Sequence, residues 1–161
     1  MFFICTDINS LAPESTKQTF LRNHRKNVSN NRDARGRGFV DVMKADLLSP
    51  LCSRMRGKVD LLLFNPPYVP SSKDEEKSME EDPTYFAWAG GVDGMEVTNR
   101  LLPLVSDLLS PKGLFYLVAV YENKPQEIIS KMTANYGLRS SIVLERRAKN
   151  ESLYILRFQK V

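Results

Sequence analysis

Val59-Asp60-Leu61-Leu62-Leu63-Phe64-Asn65-Pro66-Pro67-Tyr68 reads as an apolar strand running directly into a rigid tetrapeptide. Open α/β sheets hold their ligands beyond the carboxyl ends of strands, so residues 65–68 stand where a site is expected. The two prolines fix φ near about −65° and remove two backbone donors. Neighbouring carbonyls and the Asn65 carboxamide are then left to face something other than the chain. An incoming amino group brings two N–H donors, which the Asn65 side-chain oxygen and a proline carbonyl can accept together while Tyr68 packs on the planar group behind them. The competing reading is a strand that merely stops at a Pro-Pro turn. The flanking Asn and Tyr weigh against it.

Outward from this segment, strands and helices alternate. Residues 2–6 and 39–45 read as short strands and 114–120 as a strong one. A helix is expected from Pro13 to about Asn23, with Pro13 and Glu14 suited to its first turn. A second covers 95–109, interrupted by Pro103 and stopped by Ser110-Pro111-Lys112-Gly113, and a third covers 125–136, closed by Gly137. Residues 138–144 and 152–158 read as two strands joined by a charged turn at Lys149-Asn150. This order predicts an α/β fold whose sheet is mostly parallel, covered on both faces, with an antiparallel pair at the carboxyl end.

Composition bounds the chemistry. The chain has 161 residues, 42% hydrophobic and 26% charged, which suits one ordinary globular domain. Its longest apolar runs fall far short of the roughly 20 residues of a membrane helix. Residues 1–5 lack the positive flank and cleavage site of a signal peptide, so no membrane association is expected. Cys5 and Cys52 are isolated from each other and read as reduced, buried thiols, and His24 is the single histidine. No metal centre and no His-based triad is expected. Asp7 and Asp46 each follow a strand, where a carboxylate accepts from ribose hydroxyls or an adenine amino group, or else caps a turn.

Asn65-Pro66-Pro67-Tyr68, Cys5-Thr6-Asp7-Ile8-Asn9 and Ala87-Trp88-Ala89-Gly90-Gly91 followed by Gly94 and Glu96-Val97 resemble, in order and over nearly the whole chain, the eukaryotic and archaeal HemK-type release-factor glutamine methyltransferases. The resemblance implies a Rossmann-like class I methyltransferase fold with S-adenosyl-L-methionine as cofactor. It implies transfer to the glutamine N5 of the Gly-Gly-Gln loop of a translation release factor, in a heterodimer with a small zinc-binding activator subunit. By the same resemblance Asn65, Pro66, Pro67 and Tyr68 are catalytic, with Asn65, Pro66, Tyr68 and Trp88 on the substrate. Asp7 holds the cofactor ribose, Asp46 with Leu47 its adenine, and Asn65 adjoins the cofactor. Trp88 also reads as a core residue, and the glycines beside it as room for a close-fitting substrate loop.

One departure stands out. Class I methyltransferases open with a central strand and a Gly-rich turn, and neither Gly36-Arg37-Gly38 nor the glycines at 90, 91 and 94 have that strand-turn-helix setting. Residues 1–161 are therefore expected to form a single, N-terminally truncated methyltransferase domain missing the first, central strand, between residues 2–6 and 59–64 in the sheet. Weak or absent cofactor binding is expected in consequence, and a catalytically impaired product is one competing reading. A nucleic-acid adenine-N6 methyltransferase is another, since it uses the same tetrapeptide on an extruded base. Arg22, Arg25, Lys26, Arg32, Arg35 and Arg37 against Asp33 alone form a basic run that reads as a solvated insertion, or less readily as a nucleic-acid contact. From Lys73 to Asp82 six acids oppose two lysines, which suits a basic protein substrate better than a phosphate backbone, or else marks a plain polar loop. A cytoplasmic location is expected, with the nucleus as the alternative.

Overall fold

The computed structural model describes residues 1–30, 38–72, 74–75, 84–148 and 151–161, and for 24–30 and 148 the backbone alone. The side chains of Arg25 and Lys26, all of Arg32, Arg35 and Arg37, most of the acidic run (Lys73 and 76–82) and the Lys149-Asn150 turn lie outside those descriptions. Two compact units divide the chain, Met1–Leu51 and Cys52–Val161.

The first unit is a β-α-β element. Strand β1, Phe2–Asp7, pairs in parallel with β2, Phe39–Lys44, in the register Phe2↔Phe39 to Asp7↔Lys44. Helix α1, Ala12–Asn30, connects them and packs Phe20 against Phe3 with ring centroids 5.9 Å apart. Its start follows from local chemistry: the Asn9 side chain accepts from the Leu11 amide at 2.9 Å, and Pro13 and Glu14 occupy the first turn. The helix outruns its expected end near Asn23 because residues 23–30 contain no Gly or Pro, and extending a formed helix costs little.

The second unit holds a four-stranded sheet in the order β3-β4-β6-β5, formed by β3 Val59–Phe64, β4 Leu109–Val120, β5 Arg139–Ala148 and β6 Glu151–Gln159. The first four strands of the chain make only parallel pairings among themselves, and antiparallel pairing enters with β6, which lies between β4 and β5. Short helices α2, Cys52–Met55, and α3, Tyr85–Trp88, flank β3 in sequence, followed by α4, Glu96–Leu108, and α5, Pro125–Tyr136. Pro103 sits inside α4 without ending it. Strand β4 begins five residues earlier than expected: Ser110-Pro111-Lys112-Gly113 stays in the strand as an irregularity, with Lys112 at φ 64° and the register jumping from Val59↔Leu109 to Leu61↔Leu114.

Helices α4 and α5 cover one face. Leu101, Leu102, Val105 and Leu108 from α4 and Ile128 and Met132 from α5 are buried, as are Phe115, Leu117, Leu156 and Phe158 from the sheet. The rings of Phe115 and Phe158 stack at 5.4 Å across the β4–β6 pair. The expectation of cover on both faces fails at β3, where alternate residues Leu61 and Leu63 are 52% and 68% exposed. Strands β1 and β3, predicted to flank a central strand, each have one hydrogen-bonded neighbour in their own sheets. No helix among the described residues is long and apolar enough to cross a membrane.

Candidate active site

Strand β3 delivers Asn65 to the carboxyl end of the parallel β3–β4 pair, one residue beyond the Phe64↔Leu117 pairing. Asn65 is exposed, Pro66 is buried, and Pro67 and Tyr68 are half-buried. The buried ring of Pro66 anchors the turn while the carboxamide before it faces outward. Neither that carboxamide nor the Pro66 carbonyl has a hydrogen-bond partner among the described residues. Both expected acceptors are thus available. Beside them Leu61, Leu63, Tyr116, Val118 and Ile155 line an apolar hollow of about 430 Å³ that Asn65 borders.

The backbone behind the turn is held from the α3 side. Val69 forms an isolated parallel bridge with Ala89; its amide donates to the Trp88 carbonyl at 3.0 Å, and the Gly90 amide donates to the Val69 carbonyl at 2.8 Å. Ser71 continues the pairing, its amide donating to Gly91 O at 3.1 Å and its Oγ accepting from the Gly91 amide at 3.0 Å. A Cβ on Gly90 would collide with the Pro67 carbonyl, and one on Gly94, which has φ +66°, with the Tyr68 carbonyl. Gly90 and Gly94 thus admit the turn's own backbone, while Gly91 faces the Glu96 side chain. Trp88 is 37% exposed and packs edge-on against Tyr85 at 5.0 Å, so it belongs to the surface next to the turn and not to the core.

In the first unit, Asp7 and Asp46 stand at the same, carboxyl end of the parallel β1–β2 pair, where the Ala45 amide donates to the Asp7 carbonyl at 2.9 Å. Asp7 is the last residue of its strand. It is exposed, and its Oδ1 accepts from the Asn9 amide at 2.8 Å, which orients the carboxylate. Asp46 is half-buried. Leu47 adopts φ 51°, a left-handed conformation that costs a leucine on the order of 1–3 kcal/mol and that clusters at ligand sites. Cys5 and Cys52 are free and only half-buried, short of the burial expected for them.

Asn123 went unnoticed in the sequence. Buried three residues beyond the end of β4, it donates from Nδ2 to the Tyr68 carbonyl at 3.0 Å. Asn-Lys-Pro ahead of a helix reads locally as a cap, which hides this contact across 55 residues.

No protein-family model matches the chain. It is 43% identical over 158 residues to methyltransferase HEMK2 of Mus musculus, covering 98% of this chain and 66% of that protein. The catalytic subunit mtq2 of the eRF1 methyltransferase of Schizosaccharomyces pombe is 36% identical over 156 residues, 97% of this chain and 63% of its own length. The chain thus spans somewhat less than two thirds of these relatives. Among solved structures, the E. cuniculi Mtq2–Trm112 complex, described as responsible for methylating the termination factor eRF1, superposes with a TM-score of 0.59. That match has 23% identity and covers 99% of this chain and 85% of the matched one, a likeness of fold.

Proposed function

We propose that the chain is a HemK-type release-factor glutamine methyltransferase, serving S-adenosylmethionine-dependent methylation of the glutamine N5 in the Gly-Gly-Gln loop of a translation release factor. The observation that carries this reading is the pair of unengaged acceptors, the Asn65 carboxamide and the Pro66 carbonyl, at the carboxyl end of β3.

A primary amide is a weak nucleophile because its nitrogen lone pair is delocalised into the carbonyl. With one N–H donated to Asn65 Oδ1 and the other to Pro66 O, the nitrogen is drawn toward a pyramidal shape and its lone pair is freed. Pro67 keeps the two acceptors rigid, and Tyr68 and Trp88 pack on the planar side-chain amide. Bound S-adenosylmethionine would supply the methyl group from its sulfonium and leave as a thioether; Asn65 and Pro66 would hold the amide nitrogen that takes the methyl, and that nitrogen would lose one proton to solvent. Asn65 and Pro66 chiefly orient. Well-placed reactants recover about 7–11 kcal/mol of barrier, several times what one hydrogen bond contributes.

The strand ends of the first unit fit the cofactor. Asp7, with one oxygen occupied by the Asn9 amide, has the other free for a ribose hydroxyl. Asp46 accepts from the adenine amino group, and Leu47 in its left-handed conformation offers an apolar surface to the ring. A small zinc-binding activator subunit completes the heterodimer, as Trm112 accompanies Mtq2 in the E. cuniculi complex.

The test is methyl incorporation from labelled S-adenosylmethionine, with and without the activator, into a release-factor domain bearing the Gly-Gly-Gln loop and, separately, into DNA and RNA. One added methyl on the glutamine, lost in Asn65→Ala, is the expected result. Label in adenine and none in the protein would replace this reading with that of a nucleic-acid methyltransferase.

A further inference from the structure

We infer that Asn123 is a positioning residue for the Asn65–Tyr68 turn: through three main-chain peptide planes its buried side chain fixes the direction in which the turn presents its acceptors. The inference rests on the role proposed above for that turn. Asn123 is 3% exposed. Its Nδ2 donates to the Tyr68 carbonyl at 3.0 Å and to the Asp93 carbonyl at 2.9 Å, with Gly94 O at 3.5 Å, and its Oδ1 accepts from the Val120 amide at 2.9 Å. Both amide protons and the oxygen are therefore used. The orientation is settled by chemistry, since a flipped carboxamide would set its oxygen against two carbonyls.

What these bonds hold is specific. The Tyr68 carbonyl and the Val69 amide belong to one peptide plane, gripped by Asn123 at one end and by the Trp88 carbonyl, 3.0 Å away, at the other. The Asp93–Gly94 plane is gripped likewise, its amide donating to Gly91 O at 2.9 Å. The third plane, Ala119–Val120, is the end of the central strand β4, so the loop and the turn are both referred to the most buried strand of the unit. Pro66 and Pro67 have fixed φ, so the pose of the Tyr68 plane carries back to the Pro66 carbonyl with little slack. A side chain that only filled space would need neither two donors nor an acceptor. Asp93 and Lys124, at φ 55° and 54° on either side of this contact, hold left-handed conformations that bring the two loops to the amide.

Amide hydrogen exchange on the intact chain tests this without depending on turnover. In Asn123→Ala, the Val69 and Gly94 amides are expected to exchange about tenfold faster or more, because two part-buried carbonyls lose their donor and the peptide planes they share with those amides are released. Amides of the β4–β6 ladder such as Val118 should keep wild-type protection. Asn123→Asp, nearly isosteric, guards against simple unfolding. Ionised, it repels the two carbonyls; protonated, it donates to one, so protection of Val69 relative to wild type at the same pH should recover on acidification. Asp93, Glu96, Lys124, Glu127 and Lys131 line the adjoining hollow and set the midpoint, not the direction, since both proteins share them. Uniform loosening of the unit, unchanged exchange at Val69, or no recovery in acid would overturn the inference. A wild-type chain that methylates no release factor, with Asn123 variants that show the predicted exchange pattern, would overturn the functional reading and leave the positioning role standing.

Discussion

Asn65 has an exposed carboxamide at the end of an otherwise apolar strand, a position where hydration satisfies it and packing gives no reason for it. Its replacement by Ala is expected to lower methyl transfer by about 10²-fold or more, the scale seen when one oriented polar group is removed from a reacting centre. Cofactor affinity should change little, and kinetics alongside calorimetry separate the two. Leu47 poses a different case, a half-buried residue held in a strained, left-handed backbone. Leu47→Gly relieves the left-handed strain but loosens the unfolded chain, so stability should stay within about 1 kcal/mol of wild type. S-adenosylmethionine affinity should fall, because the apolar side chain is gone. Thermal melts and calorimetry on that variant check both statements.

At the level of elements, the segment from Ala87 to Gly94 acts as a splint for the turn after β3. Gly90 shows why no larger residue serves: an added methyl meets the Pro67 carbonyl, a backbone atom that cannot swing aside. Gly90→Ala is expected to cost about 1–3 kcal/mol in urea unfolding and to depress activity together with stability. The helical cover makes a different demand. Leu102 of α4 is completely buried, so Leu102→Ala should cost about 2–5 kcal/mol, measurable as a lower urea midpoint with an unchanged slope. The ion pair of Lys124 with Asp93, 3.7 Å apart and more than half exposed at both ends, should contribute almost nothing by comparison.

For the molecule as a whole, the choice of acceptor is an electrostatic question as well as a geometric one. If the target is a protein loop, raising salt from 50 to 200 mM should change turnover only modestly. Neutralisation of six or more phosphates would instead weaken binding by about 10³-fold or more over that range, and rate measurements at the two salt concentrations distinguish the cases. Much of this protein was legible before folding was considered. Strand 59–64 and helix 125–136 stand where periodicity, the Pro-Pro turn and the Pro and Gly at the helix ends put them, because those signals act within a few residues. The same holds for two carboxylates at the ends of parallel strands and for an asparagine leading a proline pair. The insertion of β6 between β4 and β5 is different, since either strand of a hairpin can pair with β4. Burial decided it, Leu156 and Phe158 of β6 reaching the helical layer. Asn123 is the clearest such case at a site: its identity is local, but its partners, Tyr68 and Asp93, come within hydrogen-bond distance only when β4 and the two loops are packed. Local sequence determines the φ/ψ preferences and the alternation of apolar residues; which distant backbone groups a buried amide must satisfy is determined only once water has been excluded around it.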